Sequence, residues 1–290
     1  MWSLPKTRYQ GEYERMNATS GEMTVVSKPK WQILDATTLK LLAVVLMVLD
    51  HIHEMFVSMG APMWLTMAGR PVFPMFLFAA SESFYYTHSK KKYLQRLLFA
   101  SWGMTIFTFL LQTVLPNPDV VLMNNAFSTF FVTGLYMLCW DRLTAGIRQK
   151  SPREIGKAAV IFLVPLLCAI PVYLVAILSF NENVPGSVIR LLARIALLIP
   201  NILTVEGGAS LVVLGLLFYI FREHRAIQIV MLLALSLIVY LFGDTVQSLM
   251  ALAAIPMILY NGERGKGLKN FFYIFYPAHI GLLYCISALI

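Results

Sequence analysis

The chain has 290 residues, 58% of them hydrophobic and 13% charged, with a formal charge of +8. Soluble domains carry about 25% charged residues, so an ordinary water-soluble globule is excluded. The apolar runs approach about twenty residues, which argues for helical spans and against the short alternating strands of a β-barrel.

Residues 1–37 are polar and mixed in charge, with no apolar stretch that could serve as a cleavable signal. The sequence predicts a partly disordered cytoplasmic tail here, with Trp31 near the interface and Asp35 or Thr37 capping the first helix. Residues 38–290 read as a single all-α membrane domain, a polytopic bundle of nine or ten spans. The apolar runs lie near 39–59, 62–86, 94–115, 120–140, 157–180, 187–204, 208–221, 226–243, 245–260 and 271–290. Cys139, Cys168 and Cys285 fall inside such runs without pair or metal spacing, and read as small core residues.

Loop charge sets the expected orientation. "HSKKKYLQR" (88–96) and "DRLTAGIRQKSPREIGK" (141–157) are basic and belong in the cytoplasm, whereas "PNPD" (116–119) and "NENVPG" (181–186) contain no basic residue. This places the amino terminus inside. "FREHR" (221–225) and "NGERGKGLKN" (261–270) also look cytoplasmic, which strict alternation over ten spans contradicts. The conflict disappears with nine crossings if 187–208, striped by Arg190 and Arg194, is interfacial or re-entrant. The alternative is ten crossings with both termini inside.

The first span, "LKLLAVVLMVLDHIHEMFVSMG" (39–60), carries Asp50, His51, His53 and Glu54. Each ionisable group at the centre of a membrane helix costs at least ~2.5 kcal/mol. At ~100° per residue Asp50, His51 and Glu54 share one face, with His53 just beyond it. That face either points into the bundle or, near the outer end, is simply hydrated; the second account suits Glu54 better than its neighbours. His51 and His53 point ~200° apart and make a poor metal pair, so no metal site is expected.

In the second span Pro71 and Pro74 should kink the helix. Arg70 lies at about the depth of His51, roughly 12–15 Å in. Either a structural Asp50–Arg70 pair or a shared site accounts for that match, and the site is the reading followed here. Glu82 sits near the cytoplasmic end, open either to a ligand or to neutralisation by the basic loop. Asn124 and Asn125 open the fourth span, either as interhelical glue or as site residues. Tyr276, Pro277 and His279 make a kinked, aromatic start to the last span. A membrane histidine bonded to a carbonyl is the structural account of His279. No phosphate-binding glycine loop with lysine and no nucleophile elbow occurs.

Four segments, "LKLLAVVLMVLDHI", "GRPVFPMFLFAASESFYYTHSKKKYLQRLL", "NNAFSTFFVTGL" and "FFYIFYPAHIGLL", together resemble the TraX family in order and spacing over 38–140 and 268–285. The namesake of that family, from conjugative plasmids, acetylates the amino terminus of pilin. The resemblance implies a bacterial plasma-membrane acyltransferase that uses cytosolic acetyl-CoA, with a pilin-like or other peptide amine as acceptor. It also implies that His51 is the leading catalytic candidate, and Arg70, Glu82, Asn124, Asn125 and His279 match its motifs by position. The tail of residues 1–37 is longer than the resemblance leads one to expect.

On this reading His51 takes the proton of the attacking acceptor, or itself carries the acetyl group. Asp50 tunes His51 electrostatically, and Arg70 or the asparagine amides steady the oxyanion. Glu82, Tyr276 and the basic residues Lys91, Lys92 and Arg96 complete the candidate binding set. These cations at the cytosolic mouth either meet CoA phosphates or serve only as topology signals. The rival class is a proton-coupled transporter, which broken helices and buried charges would also suit. Against it, no inverted repeat is visible.

Overall fold

The computed structural model describes residues 12–16, 23–27 and 29–290. Two short strands, β1 (Glu12–Met16) and β2 (Met23–Ser27), pair antiparallel within the polar tail. The rest of the predicted tail up to residue 28, and with it the expectation of disorder, lies outside the described residues.

All the other regular elements are helices. The order is α1 (Ala36–Phe56), α2 (Trp64–Gly69), α3 (Val72–Tyr86), α4 (Lys90–Val114), α5 (Ala126–Gln149), α6 (Pro152–Leu167) and α7 (Ile170–Leu178). Then come α8 (Gly186–Leu197), α9 (Gly208–Ile220), α10 (Arg225–Leu241), a 3-10 helix (Gln247–Ala253), α11 (Ala254–Leu259) and α12 (Lys269–Leu289). Among the described residues, four helical stretches are long and apolar enough to cross a membrane: Ala36–Met59, Lys90–Val114, Pro152–Leu178 and Asn270–Leu289. Their outward faces carry exposed apolar side chains such as Val45, Phe99, Ile106 and Leu282, the surface a bilayer rather than water accommodates.

Local chemistry accounts for the helix boundaries. Asp35 caps α1 by accepting the Thr38 N–H at 2.7 Å. The predicted kink falls at Arg70–Pro71, between α2 and α3, while Pro74 is absorbed in the first turn of α3, where its missing N–H costs nothing. The helix α4 is capped by Ser89 and α5 by Asn125. The three cysteines are free and half-buried, less enclosed than their apolar context suggested.

Several helices begin part-way through the bundle. Asn125, which caps α5, donates to Ser101 and Thr105, midway along α4, so residues 120–125 of the predicted fourth run are not helical. The helix α9 begins at Gly208, with Gly207 and Gly208 both at left-handed φ (76° and 73°), a reversal cheap only for glycine. Residue 206 reaches the start of α5, where Thr129 donates to the Glu206 carbonyl.

The pass from α8 to α9 follows α4 in the opposite direction. Arg194 stacks on Phe109, the Leu198 carbonyl accepts from Trp102, and Tyr219 meets Lys90. Residues 186–220 therefore run antiparallel to α4, with a break between α8 and α9. Lys90, Asp141 and Tyr219 form a joined polar group that ties the ends of α4, α5 and α9 together.

The main core gathers Leu39, Met47, Met55, Met75, Phe78, Phe218, Met257, Ile280 and Tyr284 from helices far apart in sequence. At one end, the segment before α1 joins the loop after α11: Leu34 pairs with Tyr260, and Thr37 donates to the Arg264 carbonyl. Lys40, Lys92, Arg96 and Arg264 also cluster at this end, the basic end.

Candidate active site

A cavity of about 940 Å³ runs from the basic end into the middle of the bundle. Its rim includes Lys40, His88, Ser89, Lys92, Arg96 and Arg264; its depth reaches Asp50, His51, Arg70 and Gln247. Phe73, Phe76, Phe127 and Phe130 make apolar walls, and Glu82, Glu206 and Tyr276 add polar groups. Such a mix of apolar wall and few convergent polar groups is typical of a small-molecule site.

Arg70 is fixed in place at the break between α2 and α3. Its Nη2 donates to Asp50 Oδ1 at 2.6 Å and to Thr66 Oγ1, its Nη1 to Gln247 Oε1 at 3.0 Å, and its Nε to the Thr66 carbonyl at 3.1 Å. Thr66 also donates to Asp50 at 2.6 Å. Close approach of α1 and α2 at Gly69 makes this possible, because a Cβ there would overlap Asp50. The Asp50–Arg70 pair is thus a structural clamp that also lines the cavity. Asp50 bonds to Arg70 and Thr66, and no bond joins it to His51.

His51 instead meets a histidine from the far end of the chain. Its Nδ1 lies 2.8 Å from His279 Nε2, and both rings are buried. His279 Nδ1 lies 2.8 Å from the Phe275 carbonyl, one turn earlier on α12. A carbonyl only accepts, so His279 Nδ1 carries a proton. With both rings neutral, His279 Nε2 must accept from His51 Nδ1–H. The lone pair of the pair is then on His51 Nε2, which lies 3.8 Å from Glu54 Oε2.

Around this pair the remaining groups sort clearly. Tyr276 lines the cavity, accepts from the Ala126 N–H at 3.0 Å and donates to Glu206 at 3.0 Å. Asn124 donates to Glu54 at 3.0 Å. Asn125 is taken up by capping and by bonds to α4, and is not among the lining residues. Lys92 and Arg96 line the rim while Lys91 does not, since neighbouring helical residues point ~100° apart. His53 turns away to the Pro62 carbonyl at 3.1 Å.

Sequence reasoning did not pick out Lys40, Thr66, Glu206, Gln247 or Arg264. Glu206 carried a signal, a charged residue before two glycines within a largely apolar region. Gln247 and Thr66 carried none, because ordinary polar residues are common near helix ends.

Lys40, Lys92, Arg96 and Arg264 form no ion pair with a carboxylate among the described residues. A rim with four such cations attracts anionic ligands. A family model described as TraX protein matches residues 35–287. No curated protein and no solved structure matches the chain.

Proposed function

The chain belongs to the TraX family, and on that premise we propose that it is a multi-pass membrane acyltransferase. It moves an acetyl group from cytosolic acetyl-CoA to a peptide amine, such as a pilin-like amino terminus, that is in the membrane or being exported. In this reading the protein sits in a bacterial plasma membrane with nine crossings, residues 186–220 making one of them, and with its amino terminus in the cytoplasm.

One observation carries the proposal: His51, bonded to His279, lines the deep end of a cavity whose other end is a rim of cations with no carboxylate partner among the described residues. CoA phosphates suit that rim, where Lys40, Lys92, Arg96 and Arg264 converge, and the acyl arm suits the aromatic channel below it. The acceptor nitrogen attacks the thioester carbonyl carbon while His51 Nε2 takes its proton. The C–N bond forms, the C–S bond breaks, and the leaving thiolate is protonated to the free thiol. A covalent acetyl-His51 intermediate uses the same lone pair. Arg70 carries five N–H groups, and its four contacts leave at least one of them for the oxyanion.

Helices that start at mid-depth around buried charges also suit a proton-coupled transporter. Purified protein in lipid nanodiscs, given acetyl-CoA labelled in the acetyl group, separates the two. The enzyme binds the donor and releases or transfers the label, and His51→Ala abolishes turnover. Absence of binding and of thioester turnover in the unaltered protein refutes the acyltransferase.

A further inference from the structure

Most of the donor capacity of Arg70 is committed. Its Nε–H goes to the Thr66 carbonyl, the two Nη2 hydrogens to Asp50 and Thr66, and one Nη1 hydrogen to Gln247 Oε1 at 3.0 Å. A guanidinium has five N–H groups and accepts nothing. One Nη1–H is therefore left over, and the Gln247 amide must turn its oxygen, not its nitrogen, toward Arg70. The amide nitrogen keeps two hydrogens. Its one contact among the described residues is the Met250 sulfur at 3.9 Å, a weak acceptor. Arg70 and Gln247 both line the deep end of the cavity, as His51 does.

We infer that Gln247 Nε2–H and the spare Nη1–H of Arg70 together form the oxyanion hole, which makes Gln247 a catalytic residue. The inference rests on the acyl-transfer reading above. Nε2 shares a carbon with Oε1, which puts it within about 5 Å of Nη1, so one oxygen can sit roughly 2.7–3.1 Å from both nitrogens. As the acceptor nitrogen bonds to the thioester carbon and passes a proton to His51 Nε2, the carbonyl electron pair moves onto oxygen. The two donors stabilise that charge more than they stabilise the neutral carbonyl. When the pair returns, the C–S bond breaks and the thiolate takes the proton from His51. The asparagine amides drop out of this role, because Asn124 donates to Glu54 and Asn125 to Ser101 and Thr105.

The scaffold holds Gln247 before any substrate arrives. It opens the 3-10 helix Gln247–Ala253, and its backbone N–H donates to Asp244 Oδ1 at 2.8 Å. The next carbonyl, that of Ser248, accepts from Ser236 of α10 at 2.8 Å. Met250 of the same short helix is buried in the main core. Donors fixed in this way need little reorganisation when charge develops on the substrate.

The test uses the full-length protein in nanodiscs with acetyl-CoA and a tripeptide beginning with alanine, and reads the free thiol released. Gln247→Glu keeps an oxygen for Arg70 and loses the N–H; Gln247→Met loses both and stays neutral. Both variants should lower kcat roughly a hundredfold, with the dissociation constant of acetyl-CoA within about twofold of the unaltered value. If Gln247 only holds Arg70 in place, the glutamate variant stays active and the methionine one does not; if charge alone matters, the reverse holds. Either pattern overturns the inference, as does an equal loss of acetyl-CoA binding. Infrared spectra of bound acetyl-CoA, isotope-labelled at the thioester carbonyl, need no variant: the carbonyl band should lie below its frequency in water. A band at or above the aqueous frequency overturns the inference even where a variant fails to fold. If the unaltered protein neither binds nor turns over acetyl-CoA, the acyl-transfer reading itself falls, and this inference with it.

Discussion

Replacing His279 by phenylalanine keeps the ring volume and removes the acceptor that orients His51. In the native pair His51 Nδ1–H donates across 2.8 Å to His279 Nε2 in a buried setting. Leaving a buried donor without its partner costs about 1–3 kcal/mol. The same amount biases His51 away from the tautomer that bares Nε2. Taking about 2 kcal/mol, and tenfold in rate for each ~1.36 kcal/mol, the acetyl-transfer kcat should fall about 30-fold. The KM for acetyl-CoA should change little, because the phosphate rim is at the other end of the cavity. His279→Gln supplies an amide oxygen in place of Nε2 and should recover part of the rate. Steady-state kinetics with labelled acetyl-CoA, checked by single-turnover measurement, reads both variants. A His279→Phe protein that is folded and retains wild-type kcat would refute the tautomer argument. So would a glutamine variant as slow as the phenylalanine one, since a purely steric role predicts that result.

Two further outcomes follow from the clamp and the rim. Arg70→Met leaves Asp50 without its cation; breaking a buried pair costs about 3–5 kcal/mol, and less is expected here because both side chains retain about a quarter of their exposure (28% and 26%). A thermal melt should show the loss, and Asp50→Asn combined with Arg70→Met should regain stability without regaining activity; recovery of both would exclude a role for Arg70 in the chemistry. Removing any one of Lys92, Arg96 or Arg264 should raise the KM for acetyl-CoA several-fold with kcat nearly unchanged. The effect should shrink as salt is raised from 0.05 to about 0.5 M, because exposed charges are screened; insensitivity to both substitution and salt would remove the anionic donor from the rim.

Individual residues show how much could be read without coordinates. Asp35 as a cap and Pro71 as a break depend on a few neighbours in the chain, and both were legible. The matched depth of His51 and Arg70 followed from counting 1.5 Å rises on two helices joined by a short turn, and it brought Asp50, beside His51, within reach of Arg70, where the clamp is found. Asn125 was legible only as a polar residue near the start of a span. Whether it faced a ligand or a neighbouring helix depended on where α4 lies, and α4 claims it. For His279 the sequence left open a structural bond to a carbonyl or a place in the site; it makes the carbonyl bond, and its second bond, to His51, spans 228 positions of sequence.

By itself the sequence determined that the region after the polar tail is helical, with several segments apolar enough for a membrane, where the charges interrupt them, and which family it resembles. Those properties are local: the cost of putting a segment in lipid, the period of a helix and the conformational limits of proline are set within about one turn or one span. Only the tertiary structure decided which nitrogen of His51 holds a lone pair, that Glu54 faces it, and that Lys40 and Arg264 join Lys92 and Arg96 around one opening. Hydrogen bonds and fields fall off over a few ångströms of space, and helix packing, not distance along the chain, sets that space.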